Sequence, residues 1–290
     1  QKYRLVYEAL LDRGITTPED TVEPEPARDE DLARVHRKEY LDDLASLRWS
    51  WRTRNSELPL TAPIVSMFRL AAGATIRAAR LALERGAALH CGGGFHHAFA
   101  DHAEGFCYLN DIAVAVQVLL DESQIRRPVI VDCDLHQGNG TARIFQKEKR
   151  VFTFSIHEDD IYPVPKETSD LDVELPAGTD DEAYLAALAK HLPGVLARSR
   201  PDIVFLQAGC DTLAGDPLAR MRMTPDGIVK RDAMVIDACA KAGIPVVMVL
   251  GGGYSEDAWS AQFASIRRTI LKYGPAGGPV NRMVGRGWHH

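Results

Sequence analysis

The 290-residue sequence has no long hydrophobic run, no excess of basic residues and no Cys-x-x-Cys pair. Each absence removes a class of function. Its longest apolar stretches, such as residues 112–116 and 244–250, fall far short of the ~20 residues needed to cross a bilayer as a helix. Lys and Arg number 34 against 40 Asp and Glu, a net charge of -6, and no basic run exceeds Arg126-Arg127 or Arg267-Arg268. That argues against direct nucleic-acid binding, which relies on clustered positive charge. The N-terminal residues are charged and amphipathic, without the apolar core of a secretion signal. Cysteines 91, 107, 133, 210 and 239 are odd in number, so no disulfide framework is expected. A reducing, cytoplasmic compartment is expected instead, or the nucleus if the source is eukaryotic. The chain opens at Gln1 rather than Met, as though a piece preceded it.

What is present is a rhythm. Short apolar runs at 87–90, 129–131, 151–156, 203–207 and 244–250 alternate with helical patterns at 63–85, 111–121, 139–149, 181–199, 224–241 and 256–273. Before them, 2–13 and 29–49 read as helices around an acidic, proline-rich loop. Strands of this kind separated by helices predict a mostly parallel sheet covered on both faces, in one domain.

Open α/β sheets place ligand sites beyond the carboxyl ends of their strands. Those ends are unusual here. The five runs lead into Cys91 and Gly92-Gly93-Gly94-Phe95-His96-His97, into Asp132, Asp134, His136 and Asn139, into Ser155 and His157, into Asp211, and into Gly251-Gly252-Gly253-Tyr254. Asp134 and His136 are two apart, so in extended chain they project to the same side. With Asp211 they supply three ligands and leave a coordination position open, the mark of a catalytic metal site. The carboxylate-rich set is harder than the usual zinc set, which keeps Fe(II), Mn and Co as alternatives. Taken singly, Asp-x-His and triple glycine are ordinary features. Gly138-Asn139-Gly140-Thr141 has the spacing of neither the dinucleotide nor the Walker loop. It is the accumulation at successive strand ends that points to chemistry.

On these motifs, and on Gly105-Phe106-Cys107-Tyr108-Leu109-Asn110-Asp111, Gly209-Cys210-Asp211-Thr212-Leu213-Ala214-Gly215-Asp216 and Thr224 to Asp232, the sequence resembles the zinc-dependent histone deacetylases over about residues 1–272. His136-Gln137-Gly138-Asn139-Gly140 and the Thr224 to Asp232 stretch draw it toward class IV and the bacterial histone deacetylase-like proteins. The resemblance implies a single-domain, three-layer α/β/α arginase/deacetylase fold with a mostly parallel central sheet. It implies a catalytic domain over 1–280, lacking the family's opening strand, and a frayed or appended tail at 281–290.

The resemblance also implies site roles. Asp134, His136 and Asp211 hold Zn2+, with Fe2+ as the alternative. His97 is the general base and then the acid for the leaving amine, and His96 is its electrostatic partner, oriented by Asp132. Asn139 stands where class I enzymes have Asp, which weakens the relay to His97. Tyr254 donates to the carbonyl oxygen and the oxyanion. Gly105, Phe106, Tyr162, Leu218 and Gly252 line a narrow acyl-lysine tunnel, and the loop at 158–166 differs from the family in length. Asp132, Asp134, His136, Ser155 and Ile156 match an inner K+ site. Carbonyls of Phe145, Glu148 and Val151 match an outer one.

The expected activity is metal-dependent hydrolysis of acetyl- or longer acyl-lysine. Small acetylated amines such as polyamines are an alternative substrate class. A dimanganese ureohydrolase would need more carboxylates than Gln137, Asn139, Thr212 and Leu213 provide. A catalytically silent binding protein would not need base, oxyanion donor and ligands together. No nucleic-acid or membrane partner is expected, and the oligomeric state is not encoded in any visible pattern.

Overall fold

The computed structural model describes residues 2–274. The expected domain end at 280 and the tail at 281–290 lie outside them. Strands β1 (Ala87–Leu89), β2 (Pro128–Asp132), β3 (Phe152–Glu158), β4 (Leu171–Leu175), β5 (Ile203–Gln207) and β6 (Val246–Val249) form one sheet in the order β1-β6-β5-β2-β3-β4. Every pairing in it is parallel.

Side chains alternate along each strand and divide the core in two. Val129, Val131, Val204, Leu206, Val246 and Met248 face a layer built from α1 (Lys2–Asp12), α7 (Asp181–Ser199), α8 (Pro225–Ala242) and α9 (Ala258–Tyr273). Ile130, Ile203, Phe205, Val247 and Val249 face α3 (Lys38–Ala45), α4 (Ala62–Arg85) and α5 (Asp111–Asp121), with the short α2 (Asp29–Leu32) at the margin. This is the three-layer architecture expected from the sequence. Helix starts follow local chemistry. Asn110 accepts from Ala113 N at 2.9 Å to cap α5, and Thr224 accepts from Gly227 N at 3.0 Å, with Pro225 behind it, to cap α8.

Three local expectations are corrected. The helix anticipated over 29–49 is broken into α2 and α3, because its middle serves the loop at 99–110. His36 Nδ1 lies 3.0 Å from Phe99 O, Arg37 N donates to Ala100 O at 2.7 Å, and Asn110 N donates to His36 Nε2 at 3.1 Å. The helix anticipated over 139–149 is α6 (Asn139–Phe145), followed by a tight turn to Val151. A sixth strand, β4, is present where the sequence shows no apolar run. It pairs with β3 at the sheet edge and carries Asp172 and Glu174 between its apolar residues.

The topology fixes the site. From β2 the chain proceeds to β3 on one side, and from β5 to β6 on the other, so neighbours β2 and β5 flank the switch point where a crevice opens. Beneath it lies Arg231 of α8, fully buried. It donates to Cys133 O at 3.0 Å and Gly209 O at 2.6 Å, and its Nε donates to Asp232 at 2.9 Å. It therefore ties the loop after β2 to the loop after β5. Removing one member of a buried pair typically costs about 3–5 kcal/mol. Arg231→Met is expected to lower stability by about that amount in denaturant unfolding, since it strands Asp232 and two carbonyls.

Candidate active site

Asp134 and His136 follow β2, and Asp211 follows β5, all buried. One donor atom from each lies within 4.8 Å of the others. His136 Nδ1 is 3.1 Å from Asp211 Oδ2 and 3.4 Å from Asp134 Oδ1. Backbone amides steady the carboxylates from behind. Gly252 N donates to Asp134 Oδ2 at 2.8 Å, and Leu135 N donates to Asp211 Oδ1 at 2.9 Å. A Cβ on Gly209 would fall 2.0 Å from Asp134 Oδ2, and one on Gly252 would fall 2.3 Å from Asp211 Oδ2. Both positions therefore require glycine.

The electrostatics ask for a cation. Burial and the Asp134 charge push Asp211 up to about 6. Burial opposes the charged form of His136, yet hydrogen bonds and charge from Asp134 and Asp211 prevail and lift it to about 10. Two buried carboxylates thus draw a proton onto the imidazole between them. A divalent cation in this position would balance both carboxylates and free His136 as a neutral ligand. The three residues fit a metal by donor type, burial and charge.

Beside this cluster stands a histidine pair with ring centroids 4.1 Å apart. His96 Nδ1 is 2.7 Å from Asp132 Oδ2. Burial works against its charge, but Asp132 and Asp134 outweigh it and raise His96 to about 9. His97 Nδ1 is 2.7 Å from Asn139 Oδ1. An amide oxygen can only accept, so Nδ1 carries the hydrogen and Nε2 keeps its lone pair. Burial, then His96 and His136, hold His97 well below the usual imidazole range. The pair is thereby split into one cation and one neutral base.

A tight turn packs against His97. Glu104 and Cys107 exchange backbone hydrogen bonds of 3.2 and 2.8 Å, with Gly105 at φ 49° and Phe106 at φ 62°. Two successive positive φ values make a mirror-image turn, unusual for a phenylalanine, and Phe106 N is held by Ser56 O at 2.9 Å. A Cβ at Gly105 would sit 2.7 Å from both the His97 ring and Tyr162 Oη. Tyr162 faces His97 across 5.0 Å and His136 across 6.0 Å. Tyr254 presents its ring edge-on to Phe106 at 5.9 Å, and its main chain is fixed by donation to Asp216 Oδ2 at 2.6 Å. Partial burial and then the charges of Asp211 and Asp134 raise the Tyr254 phenol, which stays protonated.

Gly105 and Tyr162 thus lie against His97, and Tyr254 lies against Phe106. Leu218 is exposed, and its N donates at 3.0 Å to the other oxygen of the Asp216 that holds Tyr254 N. Gly252 lies against the carboxylates at the floor. Of the residues matched to potassium, Asp132 and Ser155 are opposite each other in the β2–β3 ladder. Ser155 Oγ bonds His157 Nδ1 at 2.8 Å, and Ile156 O receives Tyr184 Oη at 3.4 Å. Phe145 ends α6, and Glu148 and Val151 follow in the turn beyond it.

Several supporting residues were not assigned roles from the sequence. Buried Asp111 accepts from Phe95 N at 2.8 Å and Gly94 N at 3.1 Å, and Thr75 Oγ1 donates to it at 2.6 Å, fixing the loop that carries His96 and His97. Gln207 Nε2 donates to Gly94 O at 2.7 Å. Gln137 donates to Glu167 O and Asp172, pinning the loop beyond Tyr162. Lys2 Nζ donates to Gly251 O at 2.7 Å and Gly252 O at 2.8 Å. Asp111 ends a recognisable motif, but its partners lie far along the chain or on backbone, where no residue pattern reveals them.

Residues 1–270 match the histone deacetylase domain. The chain belongs to the histone deacetylase family. It is 35% identical over 263 residues to Histone deacetylase 2 of Arabidopsis thaliana, covering 87% of this chain and 68% of that one. It is 33% identical over 266 residues to the Histone deacetylase-like amidohydrolase of Pseudomonas aeruginosa, covering 86% and 70%. The crystal structure of the HDA15 HD domain superposes with a TM-score of 0.80 at 26% identity, over 93% of this chain and 83% of that one. The family's hydrolysis of acetylated amines is metal-dependent, and the buried Asp134, His136 and Asp211 group has the donors to hold the ion.

Asp211→Ala removes one of three donors and uncouples His136. The expected result is loss of stoichiometric divalent metal in elemental analysis of the purified chain, with wild type carrying about one ion per chain.

Proposed function

We propose that this chain hydrolyses acyl amides of lysine side chains, with zinc as its native metal, Fe(II) as the substitute, and potassium as a structural ion at the Asp132, Asp134, His136, Ser155 and Ile156 position. The single observation that carries the reading is the neutral His97 base placed beside a buried Asp134, His136 and Asp211 cluster, with the Tyr254 phenol close enough to feel the charges of Asp211 and Asp134. A divalent cation bound there supplies Lewis acidity, polarising the acyl carbonyl and lowering the pKa of a water.

The chain's own residues do the rest. His97 Nε2 accepts the proton of the attacking water, since Nδ1–H is held by Asn139. His96, kept charged by Asp132, offsets the negative charge that grows on the acyl carbon's oxygens. Tyr254 donates its phenolic hydrogen to the oxyanion. As the C–N bond breaks, His97 returns its proton to the amine nitrogen, so the products are a carboxylate and a lysine amine. Gly105, Phe106 and Tyr162 enclose the aliphatic stem and exclude bulk water.

The class IV likeness rests on His136 to Gly140 and on Thr224 to Asp232, and it favours acyl chains longer than acetyl. The five free thiols, four of them buried, fit the reducing cytoplasmic location proposed here. A ureohydrolase is disfavoured because Asn139 is engaged with His97, Thr212 with Arg231, and Gln137 with Glu167 and Asp172, so none completes a second metal site.

An acyl-lysine peptide assay with and without chelator, run over a panel of acyl lengths and with acetylpolyamines, tests the reading. Chelation is expected to abolish turnover and added Zn2+ to restore it, and chelator-resistant hydrolysis would sink the proposal. Tyr254→Phe is expected to lower kcat by roughly a hundredfold or more, the usual effect of losing one oxyanion donor. The pH profile gives a second check. His97 acts as base only when neutral, so activity falls as pH drops through its pKa. Asn139→Asp places a negative charge against Nδ1, which raises that pKa, and the acid limb of kcat/KM is expected to move up by about one pH unit or more. An unmoved or lowered limb would remove His97 from the base role.

A further inference from the structure

Strand β3 ends on Glu158, whose side chain is wholly buried. A carboxylate out of water needs donors, and these come from the segment between β5 and α8. Arg220 Nε donates to Glu158 Oε1 at 2.5 Å, Arg220 N donates to Oε2 at 3.1 Å, and Nη2 donates to Asp160 O. Among the described residues Arg220 is the only cation paired with Glu158. A planar fork that serves a carboxylate and a neighbouring carbonyl together is guanidinium chemistry, which an ammonium does not reproduce. The main chain of Glu158 is engaged as well. Its N donates to Leu135 O at 2.9 Å, and Leu135 stands between Asp134 and His136.

The segment that carries Arg220 is closed at its base, where Ala214 N donates to Met223 O at 2.8 Å and Met223 N to Thr212 O at 3.1 Å. Within it, buried Asp216 accepts from Tyr254 N at 2.6 Å and from Ser255 N at 3.1 Å. The other oxygen of Asp216 accepts from Leu218 N at 3.0 Å, and its carbonyl accepts from Ala219 N at 3.2 Å. Residues 216–219 thus form a tight turn that leads directly to Arg220, whose own carbonyl accepts from Gly178 N at 2.9 Å. Asp160 lies two residues before Tyr162, and Lys166 Nζ holds the carbonyl of the intervening Ile161 at 2.8 Å. Arg220 therefore stands between two tyrosines. One line of bonds runs through Asp216 to Tyr254, and the other through Asp160 to Tyr162, whose ring faces His97 across 5.0 Å.

We infer that Arg220 is a positioning residue for hydrolysis: by locking the 216–219 turn onto Glu158 and Asp160, it holds Tyr254 and Tyr162 in a fixed relation to each other. The inference rests on the hydrolase reading above. Among the described residues Arg220 has no bond to His97, Asp134, His136 or Asp211, so its effect on the reaction passes through the loops it joins. The two partners are unequally exposed, the Arg220 side chain at 47% and that of Glu158 at 0%. Replacing the arginine alone leaves a buried carboxylate unpaired, whereas replacing both members removes the charge together with its partner.

The test is a double-mutant cycle on the zinc-loaded enzyme, with amide hydrogen exchange measured on the same proteins. Arg220→Met is made alone and together with Glu158→Gln, and the pair variant carries the test where the single one fails to fold. The pair variant is expected to keep wild-type zinc per chain and to lose about tenfold or more in kcat on an acyl-lysine peptide, the scale of a misplaced catalytic group. In a Tyr254→Phe background the same change is expected to cost less than about threefold, because residues that act through one another are not additive. The Tyr254 and Ser255 amides are expected to exchange about tenfold faster, with those of β6 unchanged. Arg220→Lys, which keeps the charge and loses the fork, is expected to fall between wild type and Arg220→Met. An equal loss of kcat in both backgrounds, or unchanged exchange at Tyr254 and Ser255, overturns the inference while leaving the hydrolase intact. Loss of zinc in the pair variant also overturns it, since the effect then reaches the metal donors through Leu135. If the zinc-loaded wild type hydrolyses no acyl-lysine peptide, the hydrolase reading fails first and this inference falls with it, whatever the exchange rates.

Discussion

The structure depends on keeping two carboxylates, Asp134 and Asp211, out of water at the ends of adjacent strands. An uncompensated buried charge is among the most expensive features a fold can carry. The surroundings of the pair are arranged around that cost. Backbone amides of Gly252 and Leu135 point at the oxygens, His136 stands between them, and glycine is enforced at 209 and 252 because nothing larger fits. Even Arg231, on the far side, acts on the same loops by holding the carbonyls of Cys133 and Gly209. The parallel sheet makes this arrangement economical, since β2 and β5 are neighbours in space while 75 residues separate His136 from Asp211 in sequence.

The same negative charge organises the histidines. His96 is drawn into the charged form by Asp132 and Asp134, and a charged His96 beside His97 is one reason that His97 stays neutral. Two chemically identical side chains in adjacent positions thus acquire opposite properties from the groups that face them. Asn139 preserves the split, because an amide fixes the tautomer of His97 without lending it a charge. An aspartate in its place would make the base stronger but more easily lost to protonation.

Much of this was legible in the sequence, for identifiable reasons. Strands buried on both faces read as apolar runs, so β2, β5 and β6 were visible, and the residues just past them were chemically conspicuous. The edge strand β4 was not, because alternating acids interrupt its apolar residues and its pairing comes from β3 rather than from its own pattern. The helix over 29–49 failed for a related reason. Its periodicity is real, but hydrogen bonds from His36 and Arg37 to the loop at 99–110 override it. Asp134, His136 and Asp211 could be named because ligand types at strand ends carry their own signal. Asp111, Gln207 and Lys2 could not, since apart from the Thr75 hydroxyl on Asp111 their partners here are backbone groups, and no residue type at the receiving end betrays them.

The bonds from Lys2 to the carbonyls of Gly251 and Gly252 have a consequence for how the molecule is made. They join positions 249 and 250 residues apart, and β1 pairs with β6 across a shorter but still long span, Ala87 facing Val246. During synthesis α1 emerges long before the turn that supports Asp134 and carries Tyr254. Such long-range closures slow folding and leave apolar surface uncovered in the interval. The nascent chain therefore has most of its sheet before these two segments meet, which makes the appearance of activity a reporter of that late closure.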